Sequence, residues 1–125
     1  MRIAIPVSED KGLDSRLSEH FGRAPFLAMV DLDKDGNVDN LNTISNTSEH
    51  FGGSGMRGQL ILQQKPNVII TYGMGHRGLN IFQNARVAVL RADANTVREV
   101  ISSYNRGTLI ELTKGCQEAK HKQVF

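Results

Sequence analysis

Val68-Ile69-Ile70-Thr71-Tyr72-Gly73-Met74-Gly75-His76-Arg77-Gly78 is a compact β-branched run, a glycine-rich turn and the opening of a helix, in that order. Downstream, residues 78–84 read as a short helix, 86–90 as another strand, and 94–104 as a longer amphipathic helix. Strand, helix, strand, helix predicts parallel pairing through right-handed crossovers, because parallel neighbours cannot be joined by a tight turn. Upstream, residues 2–7 have the length and apolar character of a first buried strand, with Pro6 marking where ladder pairing stops. Residues 25–32 and 37–44 flank the turn-forming Asp33-Lys34-Asp35-Gly36 and predict an antiparallel hairpin. Between hairpin and parallel unit, a helix is expected from about 55 to 64, ended by Lys65-Pro66-Asn67. The whole is a single-domain α/β protein over residues 1–110: a mixed sheet covered by helices, with a polar, Lys-rich tail over 111–125.

Loops that follow parallel strands collect at one sheet edge, and ligands of such sheets bind there. One of them, residues 8–23, is long and rich in Gly, Ser and charge, with Leu13 and Leu17 as its apolar anchors. Long loops in compact domains tend to carry function.

Composition narrows the field. The chain has 125 residues, 39% hydrophobic and 22% charged, within the range of folded globular domains. Fifteen basic and thirteen acidic side chains leave a formal charge of +2, with no Lys/Arg run of the kind nucleic-acid affinity needs. The first residues pass into a short apolar segment that is too brief for secretion or membrane spanning, so a cytoplasmic protein with neither membrane nor nucleic-acid partner is expected. Cys116 is the single cysteine, which excludes an internal disulfide and leaves a thiol suited to reducing surroundings.

Three loops combine histidine, glycine and arginine: His20, Gly22 and Arg23; His50, Gly52, Gly53, Gly55 and Arg57; and Gly73, Gly75, His76 and Arg77. The first two share a pentapeptide, Ser18-Glu19-His20-Phe21-Gly22 recurring as Ser48-Glu49-His50-Phe51-Gly52, although their flanks do not match. A bare pentapeptide is not a structural repeat. Imidazole ligates metals near neutral pH, glycine admits backbone N–H groups to an anion, and arginine offers a fork of donors. Helix starts near Met56 and Gly78 would add positive dipole ends. Such loops suit a large, negatively charged ligand.

Plainer readings stand beside this one. Each histidine could cap a turn or face solvent. A structural zinc domain lacks its spacing, since no Cys-x-x-Cys or His-x-His pair exists. Cys116 with His121 forms a thin pair of soft donors, and Met56 and Met74 fit flexible core filling as well as thioether contact. Gly73 to Gly78, with Asp93 after the next strand, also satisfies a dinucleotide fingerprint, although Asp93 is equally placed to cap the last helix. A protein-interaction module using the same loop is a further alternative. No nucleophile elbow and no paired carboxylates for acid–base work are found, so no catalytic residue is assigned.

Met1-Arg2-Ile3-Ala4-Ile5-Pro6-Val7, together with Ser18-Glu19-His20-Phe21-Gly22-Arg23-Ala24-Pro25-Phe26, resembles the opening of the dinitrogenase iron-molybdenum cofactor biosynthesis family, for which His-Phe-Gly-x-Ala-Pro-x-Phe is the most specific mark. The resemblance continues through residues 52–58, Pro66-Asn67-Val68-Ile69-Ile70, Gly73-Met74-Gly75 and Val87-Ala88-Val89, covering roughly residues 1 to 110. It implies a ribonuclease-H-like fold of about five strands with helices on both faces, as a small stand-alone member. It also implies noncatalytic binding or carrying of a metal-sulfur cluster, iron-molybdenum cofactor or an iron-sulfur precursor, exchanged with a cluster donor or acceptor protein. With one cysteine where other members have more thiols, His20 and His50 become the implied metal ligands, with Cys116 as a third. Gly22, Arg23, Gly52, Gly53, Gly55, Arg57, Gly73, Gly75 and His76 would then surround the cluster.

Overall fold

Side chains of a strand alternate between the two faces of its sheet. In β1 (Arg2–Val7) both faces are apolar: Ile3, Ile5 and Val7 enter one core cluster and Ala4 the other. Burial on both sides suits a central strand. The computed structural model describes residues 1–45 and 60–112. Its other strands are β2 (Phe26–Leu32), β3 (Val38–Ser45), β4 (Val68–Thr71), β5 (Ala88–Arg91) and β6 (Ile110–Glu111). They form a sheet of order β3-β2-β1-β4-β5-β6 with β1 in its middle. β1, β4 and β5 run parallel, whereas β2, β3 and β6 each join the sheet by an antiparallel pairing.

This is the mixed sheet expected, with six strands among the described residues where the family resemblance implied about five. The extra strand is two residues long and pairs with Leu90 and Arg91, and Leu112 continues past it by donating its N–H to Val89 O at 2.8 Å. Both its residues are exposed, so no apolar period announces it.

The helices divide between the faces. Leu79 and Phe82 of α1 (His76–Asn84) pack with Ile61, from the helical residues 60–63, onto the face that carries Ala4, Ile69 and Val89. Val97, Val100 and Ile101 of α2 (Val97–Arg106) cover the face that carries Ile3, Ile5, Val30 and Ile70. α2 starts three residues later than predicted, and Asp93 is not its cap. Thr96 is extended and its side chain accepts the Glu99 N–H at 3.3 Å, while Glu99 Oε1 accepts the Asn95 N–H at 3.3 Å. This variant of the capping box, in which Glu99 reaches the N–H one residue before the cap, closes the helix end and leaves Asp93 exposed upstream. The helix stops at Gly107, whose φ of 71° is the left-handed conformation glycine adopts without penalty.

Pro6 does not end its strand. It pairs with Leu27 of β2, and pairing on that side continues to Val7 and Phe26. Pairing with β4 covers only Ile3 and Ala4, and beyond it Ser18 donates its N–H to Pro6 O at 3.0 Å. The amide proton proline lacks would have pointed to this side, where a loop has replaced the ladder. Val7, Phe26 and Ser45 stand side by side across β1, β2 and β3. The chain therefore leaves β1, β3, β4 and β5 at one common edge. Among the described residues no helix is long and apolar enough to cross a membrane.

Candidate functional site

The loop after β1 is tied down by a sequence of short polar contacts. Ser8 N–H donates to Arg16 O at 2.9 Å, and Arg16 N–H donates to Glu9 Oε1 at 3.0 Å. That backbone donor holds the Glu9 carboxyl below the usual carboxylate range, with smaller help from Lys11. The fully buried Ser15 accepts Lys11 N–H on its Oγ at 2.7 Å, and its carbonyl accepts Val97 N–H at 3.0 Å. Leu17 N–H then donates to Asn95 O at 2.9 Å.

His20 follows between two anchors. Leu17 is buried in the core cluster beneath α2, whereas Phe21 meets Phe82 of α1 edge-to-face, with centroids 5.7 Å apart at 79°. The loop thus crosses the end of the sheet from one face to the other, and His20 lies at the crossing. Ser18 Oγ fixes the crest, donating to His20 O at 3.0 Å and accepting His20 N–H at 3.3 Å. His20 is half-buried, and Arg23 beside it is exposed.

The turn after β4 reaches the same edge. Thr71 Oγ1 donates to Gly73 O at 3.4 Å, Met74 is buried at 2% exposure, and α1 opens on Gly75. Burial places Met74 in the core, as filler. Gly78 has a packing role as well: a Cβ there would stand 3.1 Å from Met74 Cγ and 3.2 Å from its Sδ, so glycine lets the helix settle on the methionine. The end of α1 is different. Gly75 supplies no side-chain cap, the first turn holds no acidic residue, and His76 and Arg77 are exposed there. The first N–H groups of a helix have no partner within it, and together with the dipole they favour an anion.

On the other face, Tyr72 directs its hydroxyl to Ala94 O at 2.9 Å and Asn95 Oδ1 at 3.1 Å. Burial raises its ionisation above the ordinary tyrosine value, partly opposed by Arg16. Ser8, Arg16, Leu17, Glu19, His20, Tyr72 and Asn95 line an open cleft of about 510 Å³. Sequence reasoning passed over Arg16, Tyr72 and Asn95.

Of the residues singled out from sequence, His20, Gly22 and Arg23 thus share an edge with Gly73, Gly75 and His76, the two segments being joined through Phe21 and Phe82. His50, Gly52, Gly53, Gly55, Arg57 and Cys116 lie outside the described residues. Ser45 and Leu60, which flank the second histidine loop in the chain, line one small apolar hollow with Phe21 and Ala24.

Comparison with known proteins supplies the family. The model of the dinitrogenase iron-molybdenum cofactor family matches residues 1–107. The chain belongs to that family. The dinitrogenase iron-molybdenum cofactor family is linked to nitrogenase cofactor biosynthesis. An uncharacterised protein of Methanocaldococcus jannaschii is 29% identical over 115 residues, spanning 87% of this chain and 89% of its own. The NMR structure of a Thermotoga protein, named as a NifB candidate, matches at a TM-score of 0.77 with 27% identity, covering 94% of this chain and 97% of that one. The apo form of the orange protein from Desulfovibrio gigas shares the fold at a TM-score of 0.78 and 22% identity, covering 90% and 93%.

For a dinitrogenase iron-molybdenum cofactor domain, the donor set at this edge is sparse. Among the described residues no group of three or more His, Cys, Asp or Glu could hold a metal ion. What the edge offers is one imidazole at the crest of a braced loop, a second at an open helix end, and exposed guanidinium groups. That set can hydrogen-bond and neutralise an anion and add a ligand to a metal that brings most of its own, in contrast to the closed four-ligand shell that holds a bare ion.

Proposed function

We propose that this protein binds and carries, without catalysis, a preformed anionic metal-sulfur cluster at the edge shared by the His20 loop and the start of α1. The cargo is iron-molybdenum cofactor or an iron-sulfur precursor, received from a cluster donor protein and passed to an acceptor in the cytoplasm. The strand order β3-β2-β1-β4-β5 is read as a ribonuclease-H-like sheet to which β6 is added. What supports the proposal is that two unlike features lie at the sheet end where β1 and β4 both finish: an imidazole on a tightly braced loop, and a helix start with neither side-chain cap nor acidic residue. A carrier must release what it holds, and an edge with few ligands but many donors suits that need. His20 and His50 are the proposed ligands, with Arg23, Arg57 and His76 neutralising the cluster and Gly22, Gly52, Gly53, Gly55, Gly73 and Gly75 admitting it to backbone N–H groups. Cys116 is a third candidate ligand.

Anaerobic titration with isolated iron-molybdenum cofactor, followed by visible absorption, tests the proposal. Saturable uptake near one cluster per chain supports it, and absence of uptake under reducing conditions refutes it. Replacing His20 and His50 together with alanine is expected to weaken uptake about tenfold or more. Unchanged binding would clear both of ligation.

A further inference from the structure

Tyr72 precedes the turn into α1 and lines the same cleft as His20. Its backbone begins the Gly73-Met74-Gly75 turn that leads into α1. Its ring packs on the core cluster beneath α2, and its hydroxyl lies 2.9 Å from Ala94 O and 3.1 Å from Asn95 Oδ1. One hydroxyl proton serves one acceptor at a time, and two acceptors within reach keep the bond satisfied as either moves. Asn95 is in turn the residue whose carbonyl accepts Leu17 N–H at 2.9 Å. From Leu17 the path is short: Ser18 N–H is held by Pro6 O, and Ser18 Oγ clasps His20. Asn95 is also held from below, where its N–H meets Glu99 Oε1.

We propose that Tyr72 is a positioning residue, which through Asn95 sets where His20 stands relative to the open end of α1. The proposal rests on the reading that His20 meets the cluster. Its geometry does not depend on cargo: one side chain spans from the β4 turn to the segment before α2, and that segment holds the loop after β1. Without the hydroxyl, the ring stays packed while the Asn95 segment and the Leu17–His20 stretch lose a shared brace. His20 would then sample positions in which a cluster resting on the helix end is out of its reach.

Tyr72→Phe removes the hydroxyl and keeps the ring. In the cluster-free protein, NMR is expected to show the Leu17 amide exchanging roughly fivefold faster and the His20 ring resonances displaced, with Ile5 and Leu79 amides unchanged. Asn95→Ala should move the same signals in the same direction. Unaltered Leu17 exchange and His20 resonances would overturn the proposal. So would faster exchange spread evenly over Ile5 and Leu79, since Tyr72 would then support the fold as a whole. In a second arm, protein loaded with isolated iron-molybdenum cofactor is passed over a desalting column, and Tyr72→Phe should release it roughly fivefold faster than wild type. Equal release would also count against the proposal. If wild type takes up none, the carrier reading falls, while the cluster-free measurement still decides the role of Tyr72.

Discussion

The two long helices begin in opposite ways. α2 opens on Thr96, whose Oγ1 accepts the Glu99 N–H while Ser15 O accepts the Val97 N–H, and the Glu99 carboxylate lies at the positive end, accepting from Asn95 N–H and the Thr96 hydroxyl. α1 opens on Gly75, with no side-chain cap and no acidic residue in its first turn. Both follow parallel strands of one sheet and both are packed by buried apolar residues, Leu79 and Phe82 in one and Val97, Val100 and Ile101 in the other. Packing therefore does not distinguish them. The contrast is that, among the described residues, one helix end is completed for stability and the other has neither a side-chain cap nor a first-turn carboxylate to offset its positive charge.

The comparison can be broken most violently at the base of α1. Phe82→Ala should cost about 3–5 kcal/mol, because a fully buried ring leaves a cavity beneath the helix and Phe21 loses its edge-to-face partner. Urea unfolding measures it, and a loss below 1 kcal/mol would mean α1 is not anchored as described. Next in size, Thr96→Ala should cost about 1 kcal/mol by opening the capping box of α2, and should leave cluster affinity unchanged. Gly75→Asp sharpens the contrast from the other side. A carboxylate at the end of α1 should leave thermal stability equal or slightly higher while weakening anionic cargo roughly two- to fivefold, the weight of one charge at a helix end.

The smallest effect concerns pH. Glu9 is held below its ordinary value in the folded chain, so its contribution is complete above the unfolded value of roughly 4.3 and is lost as pH falls through the folded one. The stability difference between wild type and Glu9→Gln should accordingly shrink on acidification. A difference that stays constant from neutral to strongly acid pH would show that the Arg16 N–H does not depend on the Glu9 charge.

Much of the fold could be read from local pattern. β1, the hairpin and the alternation from β4 to α2 follow from apolar runs bounded by turn residues, and the resemblance of the first strand and the His-Phe-Gly stretch led to the family that the match over residues 1–107 shows. Errors arose where a local signal competed with a better one nearby. Asp93 was a plausible cap, yet Thr96-Val97-Arg98-Glu99 is a complete capping box, and it was there to be read. β6 could not be, because two exposed residues take their pairing from the edge of β5. The site was legible only as loop composition. Histidine, glycine and arginine mark the loops at residues 20–23 and 73–77, but Tyr72 reads as the end of a strand and Asn95 as part of the last helix. Their bond spans 23 positions and exists only after the sheet has brought β4 and β5 together.

The most direct test is residue-resolved NMR of the amide signals while isolated iron-molybdenum cofactor is added without oxygen. The account predicts that signals of His20 to Arg23 and of Gly73 to Arg77 shift or broaden first and together, with those at the start of α2 following weakly. Perturbation centred on Asn95 to Glu99, or on the β6 edge, with the His20 loop and the start of α1 unaffected, would contradict it.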